Sequence, residues 1–137
     1  MDRRTLRETA FKMLFEYEFK KDENIDTFYT EALDILEIED NEYLHTAFYG
    51  VIEKKEELDS DIGATAKGWK LSRISKVSLN VMRLCVYEMT AMEDVPFAVS
   101  LNEAVELTKK YDDDKAPKFV NGVLNTVAKN KGLKEDK

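Results

Sequence analysis

The sequence contains one cysteine and one histidine among its 137 residues. One cysteine cannot form a disulfide within the chain, and a metal site built from thiolates or imidazoles needs several ligands. Cys85 stands in an apolar run, which is typical of a buried cysteine. His45 has no second histidine to act with. We therefore predict no catalytic or metal-binding role for either residue.

Loop-forming residues and long apolar runs are also scarce. Five glycines and two prolines argue against disorder, and a hydrophobic content of 43% supports a packed core. No apolar stretch approaches the roughly 20 residues that span a bilayer, and charges interrupt the apolar pattern of residues 1–15, where a signal peptide would need an unbroken core. We expect residues 1–137 to form one domain that is cytoplasmic and makes no membrane contact.

Sequence signatures of common enzymes are missing as well. The chain has no phosphate-binding loop, dinucleotide fingerprint, metal-binding histidine pair or nucleophile elbow. We predict a protein that is not an enzyme and has no cofactor.

Acidic and basic residues are unevenly distributed along this chain of net charge -7. Residues 22–61 hold fourteen acids against Lys54 and Lys55, a balance of -12. Residues 1–21 hold six bases and four acids, or +2, and residues 115–137 hold six bases and two acids, or +4. If the two ends pack together, they form one positive patch, which would let an acidic protein bind RNA.

Apolar residues recur every three or four positions, the spacing of a helical face, and this predicts an all-α bundle of six or seven helices. The first helix carries two apolar stripes and should lie near the centre of the bundle: Leu6, Ala10, Met13, Leu14 and Tyr17 form one stripe, and Phe11, Phe15 and Phe19 the other. The following helices are predicted at 25–38, 43–58 with a close backbone contact at Gly50, 58–66 before a corner at Gly68 and Trp69, and from Ile74 to before Pro96.

The last two helices have specific boundary signals. Ser100 and Glu103 match a capping box, with Val99 placed to contact Ala104, so a helix should begin at Ser100 and end near Tyr111. Pro117 suits the first turn of a final helix that closes near Gly132.

Three arginines near the start, Arg3, Arg4 and Arg7, are spaced so that a helix would place them on one strip. Arginine suits phosphate because its planar group donates two hydrogen bonds and keeps its charge. By spacing alone, ordinary surface arginines are the simpler interpretation. Phe15, two turns beyond Arg7, either extends this strip or packs in the core.

A second candidate surface surrounds the predicted loop between the last two helices. Lysines can neutralise phosphates, and aromatic rings can stack on unpaired bases. The alternative is a pair of aromatic core anchors beside solvated lysines. The residues concerned are Lys109, Lys110, Tyr111, Lys115, Lys118 and Phe119.

Three consecutive carboxylates, Asp112, Asp113 and Asp114, interrupt this basic segment. Adjacent side chains without a defined ligand loop are weak support for a metal site, so we interpret them as a solvated helix terminus. They would repel phosphate, which puts the affinity of the isolated protein for RNA in question.

Several segments together resemble the NusB family of bacterial transcription antitermination factors. They are RRTLR from Arg3, Gly68 with Trp69, VMRLCVYEM from Val81, Val95 with Pro96, NEAVELTKKY from Asn102 and KFVNGVLN from Lys118. The resemblance implies an all-α domain that binds the boxA element of nascent RNA together with the ribosomal protein NusE. It further implies assembly with other Nus factors on RNA polymerase in ribosomal RNA operons.

The resemblance also implies that the arginines at 3, 4 and 7 and the six residues around the last loop contact RNA, while Phe15 is a candidate by its spacing alone. The carboxylates at 112–114 depart from the family pattern, which often has glycine there. The sequence leaves open whether the free protein forms homodimers and which helices would contact NusE.

Two other functions remain open. NusB-like domains also occur in ribosomal RNA cytosine methyltransferases, and this chain could target RNA for a separate catalytic subunit. Alternatively, it is a helical protein-interaction adaptor that binds no RNA and docks its acidic middle onto a basic partner.

Overall fold

The computed structural model describes residues 1–66 and 70–133, which form seven α-helices, one 3₁₀ turn at Leu71–Arg73 and no strand. The predicted all-α bundle is thus confirmed, while the predicted corner at Gly68 and Trp69 lies outside the described residues. The helices are α1 (Arg3–Tyr17), α2 (Ile25–Leu36), α3 (Glu42–Glu53), α4 (Lys55–Thr65), α5 (Lys76–Ala91), α6 (Phe97–Tyr111) and α7 (Ala116–Asn130).

Short polar side chains fix the start of four helices. Each accepts a hydrogen bond from a backbone N–H of the first turn, which would otherwise lack a partner. These capping residues are Asp2 before α1, Asn24 before α2, Asn41 before α3 and Ser75 before α5. None of the described helices is long and apolar enough to cross a membrane.

The predicted start of α6 at Ser100 is wrong, because the helix begins three residues earlier, at Phe97 after Pro96. Ser100 is buried inside the helix and its hydroxyl donates to Glu88 Oε1 at 2.8 Å instead of accepting from a backbone amide. Val99 is 46% exposed, so it does not act as the predicted apolar staple. The predicted end at Tyr111 and the place of Pro117 in the first turn of α7 are confirmed.

The predicted third helix over 43–58 is divided in the structure. α3 ends at Glu53, Lys54 leaves the helical conformation, and α4 begins at Lys55. This change of direction buries Leu58 and Ile62 in the core. The sequence placed the boundary between these two helices at Leu58, four residues too late, because Leu58 follows Val51 by seven residues and so fits the same helical face.

α5 is the most deeply enclosed helix, and it packs against α1, α3, α4, α6 and α7. Its buried residues include Cys85, as predicted, and burial raises the pKa of that thiol. The first apolar stripe of α1 packs in the core, but the last residue of the second stripe does not. Phe19 lies beyond α1 and is 66% exposed.

Gly50 permits the contact between α3 and α5. A Cβ at this position would lie 2.2 Å from Cζ and from the hydroxyl oxygen of Tyr87. The predicted close approach therefore exists, but a tyrosine side chain makes it rather than a backbone segment.

Candidate nucleic-acid interface

Arg7 lies inside the bundle, where it binds the carboxylate of Glu88. Its side chain is 4% exposed, and Nε donates to both carboxylate oxygens of Glu88 at 3.0 and 2.9 Å. Glu88 also accepts from the hydroxyls of Tyr43 and Ser100. This network joins α1, α3, α5 and α6, so the prediction that Arg7 shares a solvent-facing strip with Arg3 and Arg4 is wrong.

The other two arginines of α1 do reach solvent. Arg4 is 76% exposed and its Nε lies 2.8 Å from Glu103 Oε1. Arg3 is 44% exposed, its guanidinium lies 4.4 Å from the centre of the Tyr43 ring, and Nη2 lies 3.7 Å from Asp94. Both guanidinium groups are thus accessible to a phosphate, although each is already near a carboxylate.

The end of α6 is attached to the second turn of α1. Lys110 Nζ lies 2.6 Å from Glu8 Oε2, and the Tyr111 hydroxyl donates to the same oxygen. These donors hold the pKa of Glu8 below its usual value despite some burial. The Tyr111 ring also packs on Phe11, with centroids 5.4 Å apart. Glu8 therefore positions Lys110 and Tyr111, two residues predicted to bind RNA. It also accepts one hydrogen bond from each of them that could otherwise be donated to RNA.

An aromatic groove, here called the α1 groove, runs beside this contact. Phe15 is half-buried in it and meets the exposed Phe19 ring with centroids 5.3 Å apart. Lys12 Nζ lies 5.7 Å from the centre of the Tyr111 ring. Flat rings between ammonium groups can stack on bases while the charges meet phosphates. The groove is lined by Phe11, Lys12, Phe15, Glu16, Phe19, Lys20, Val77 and Tyr111.

Two of the three carboxylates between α6 and α7 have hydrogen-bond partners. Their interpretation as a solvated helix terminus is wrong for Asp112, which is half-buried, while Asp113 and Asp114 are exposed. Asp112 accepts hydrogen bonds from the hydroxyls of Ser75 and Ser78. Burial opposes its ionisation, but these donors outweigh burial and lower its pKa. Asp113 accepts from the backbone amides of Lys115 and Ala116 at 3.0 Å, and so fixes the start of α7.

A second depression lies on the other side of this junction. Lys115 is exposed and the Phe119 ring is half-buried at its edge, with Arg73 nearby. Lys118 and Lys109 are also exposed. Asp112 and Asp113 also line this depression, and their hydrogen bonds from the hydroxyls of Ser75 and Ser78 and from backbone amides occupy part of their acceptor capacity. The sequence therefore located this basic junction correctly, although its role in binding RNA stays a prediction.

Within the described residues, which end at Leu133, the start of α1 and the end of α7 contact different helices, and the predicted single patch is not formed there. The start of α1 meets α6 through Arg4 and Glu8, whereas Lys131, after α7, pairs with Asp61 of α4 at 3.0 Å. The exposed cations therefore lie in two places: beside α1 with the end of α6, and at the junction between α6 and α7. The acidic side chain of Asp61 neutralises part of the charge near the other end of α7.

Sequence reasoning missed Lys12, Phe19 and Arg73 as lining residues. Phe19 fits the apolar spacing of α1 and was expected in the core, but the helix ends before reaching it. Arg73 belongs to a separate 3₁₀ turn, and only the folded chain brings it beside α7. The spacing of Lys12 from Phe11 and Phe15 is the one signal that could have marked it.

Comparisons with known proteins agree with this architecture. The model of the NusB family matches residues 4–129. The transcription antitermination protein NusB of Acetivibrio thermocellus is 43% identical over 138 residues, covering 99% of this chain and 94% of that protein.

Two solved structures have the same fold. T. maritima NusB superposes with a TM-score of 0.86 at 35% identity, covering 94% of this chain and 92% of the other. A chain from the crystal structure of antitermination factors NusB and NusE in complex with dsRNA gives 0.82 at 30% identity, covering 93% and 96%.

Proposed function

Since this chain belongs to the NusB family, we propose that it is a transcription antitermination factor that binds RNA together with NusE. Its relatives are named as antitermination proteins, and one structural neighbour was crystallised with NusE and RNA. The finer proposal is that the RNA is a boxA-type element of a ribosomal RNA operon. The resulting complex joins other Nus factors on RNA polymerase in the cytoplasm.

The observation that most supports RNA binding is the basic junction between α6 and α7. Lys115 and Lys118 are exposed on a protein of net charge -7, and the Phe119 ring is half-buried between them and the core. Lysine ammonium groups bind phosphates, and an aromatic ring at the surface can stack on a base of single-stranded RNA. Lys109 lies in the last turn of α6 and adds a further positive charge.

The remaining predicted contacts have different roles. Arg3, Arg4 and Lys110 reach solvent and can add phosphate contacts, while Tyr111 and Phe15 offer ring faces in or beside the α1 groove. Arg7 acts indirectly, because its bond to Glu88 holds α1 against α5 and thereby places its exposed neighbours. We therefore assign it a positioning role instead of a phosphate contact.

A titration of fluorescently labelled boxA RNA, with and without NusE, tests this function. With about five or six phosphate contacts, the affinity should fall by roughly two to three orders of magnitude between 50 and 200 mM salt. NusE should raise the affinity at every salt concentration. RNA binding that is undetectable or indifferent to salt in both cases would reject the proposal, and recovery of a NusE complex without RNA binding would favour the adaptor function.

A further inference from the structure

Four cationic side chains meet around one buried carboxylate at the far end of α1. Lys21 Nζ lies 3.0 Å and Lys76 Nζ 4.0 Å from Glu18 Oε2. Arg83 pairs with Glu18 and, through Nε at 2.7 Å, with Asp59. Lys55 is the fourth cation, and it lines a cavity together with Glu18, Lys21 and Arg83. The group thus has four cations and two carboxylates, a local charge of +2. This Glu18 cluster comprises Glu18, Lys21, Lys55, Asp59, Lys76 and Arg83.

Lys55 is an unusual member of this cluster. It is one of two bases among fourteen acids in residues 22–61, and it is half-buried toward the other cations, whereas its neighbour Lys54 faces solvent. Burial and the adjacent Lys21 ammonium lower the pKa of Lys55, and Glu18 offsets this in part. A bound anion would remove the repulsion between the two ammonium groups.

Four members of the cluster, Glu18, Lys21, Lys55 and Arg83, line a cavity between α1, α3, α4 and α5. Leu14, Val51 and Ile52 are among its apolar walls. The Glu18 carboxylate also lines the cavity, but it is already paired with Lys21 and Arg83. Arg83 is 5% exposed and is held by both carboxylates, so it supplies fixed positive charge. Lys21 is 51% exposed and can turn toward an arriving ligand.

We propose that Lys21 and Lys55 bind a phosphate group at the mouth of this cavity, with Lys76 adding positive charge. A free phosphate dianion placed between the two ammonium groups would balance the local charge of +2, and a singly charged phosphate of an RNA backbone would balance half of it. The phosphate can be free in solution or belong to an RNA backbone, because Lys20 and Val77, the chain neighbours of Lys21 and Lys76, line the α1 groove. The site does not depend on the contacts proposed at the α6–α7 junction.

Thermal unfolding of the full chain in inorganic phosphate tests this site. Sodium phosphate and sodium chloride are compared at equal ionic strength and pH, with the Lys55→Met variant and Lys54→Met as its matched control. Both substitutions remove one charge at adjacent positions, but only Lys55 lines the cavity. Phosphate also stabilises folded proteins in general, and Lys55→Met measures that general effect. We expect phosphate to raise the Tm of the wild type and of Lys54→Met by about 3 °C or more beyond the increase seen in Lys55→Met.

Equal Tm increases in the two variants, or no increase in the wild type, would overturn the proposal. An RNA titration then identifies the source of the phosphate. A larger loss of RNA affinity in Lys55→Met than in Lys54→Met would indicate the RNA backbone, and equal affinities would indicate free phosphate. Neither result alters the test of the lysines at the α6–α7 junction, which uses different variants.

Discussion

Arg7 and the lysines at the α6–α7 junction carry the same charge but occupy opposite environments. The Arg7 side chain is 4% exposed and bound to two carboxylates, whereas Lys115 and Lys118 are exposed. A buried cation gains its energy from fixed partners at short distance, and an exposed cation interacts with whatever anion arrives. Arg7 therefore contributes to the position of α1, while the lysines contribute to binding and its dependence on salt.

The largest expected effect follows removal of the buried arginine. Arg7→Ala leaves Glu88, which is 0% exposed, without its cationic partner. We expect the free energy of unfolding to fall by about 3–5 kcal/mol, because an uncompensated carboxylate remains in the core. Chemical denaturation measures this loss.

The double variant Arg7→Met, Glu88→Gln is the control for this prediction, since it removes both charges and should recover most of the stability. A loss below about 1 kcal/mol in Arg7→Ala would show that the buried pair does not hold the helices together.

The second buried arginine, Arg83, pairs with Glu18, and this pair should make the stability of the fold depend on pH. Burial would raise the pKa of Glu18, but Lys21 and Arg83 outweigh it and lower the value from 4.5 to about 2. Glu18 therefore stabilises the fold above pH 4.5, and the contribution is lost as the pH falls toward 2. After discounting for solvent around Lys21, we expect Glu18→Gln to cost about 1–2 kcal/mol at pH 7.

Urea denaturation of the wild type and Glu18→Gln at pH 7 and at pH 3 checks this dependence. The difference between the two proteins should be smaller at pH 3. A difference that is constant, or that grows with acidity, contradicts the assigned role of the carboxylate.

The smallest expected change in stability is at Arg4. Arg4 is 76% exposed, and its buried partner Glu103 keeps a second cation, Arg7, so Arg4→Ala should leave the unfolding midpoint almost unchanged. RNA affinity should nevertheless fall by about threefold at 0.1 M salt, as expected for one phosphate contact. Fluorescence anisotropy measures the affinity, and Lys54→Ala, which removes one exposed positive charge outside the proposed RNA contacts, serves as the control. A destabilised Arg4→Ala protein with unchanged RNA affinity would contradict this prediction, because Arg4 would then stabilise the fold, as proposed for Arg7, instead of binding phosphate.

The helical class could be predicted because apolar spacing persists along each helix, and Pro117 marked the start of α7 correctly. The start of α6 could not be predicted, because Ser100 and Glu103 match a local capping pattern. In the structure the Ser100 side chain binds Glu88, and the Glu103 side chain binds Arg4 and Arg7. Such long-range partners outweigh a local hydrogen bond, and the sequence pattern contains no information about them.

The candidate site was predictable to a similar degree. The lysines of the α6–α7 junction were located from charge and loop position, and they are at the surface. Arg7 was misplaced because spacing gives the side of the helix but not the presence of Glu88 opposite it. Asp112 was misplaced for the same reason, since Ser75 and Ser78 come from the start of α5.

The salt dependence of RNA binding by the Lys115→Ala, Lys118→Ala variant tests the central distinction between positioning and binding charges most directly. If both lysines contact phosphates, the slope of log affinity against log salt concentration should be shallower than that of the wild type by about 1.4, or about 0.7 for each contact to a single strand. The unfolding free energy should stay the same. An unchanged slope would contradict the account, because the exposed lysines would then make no contact with the RNA backbone.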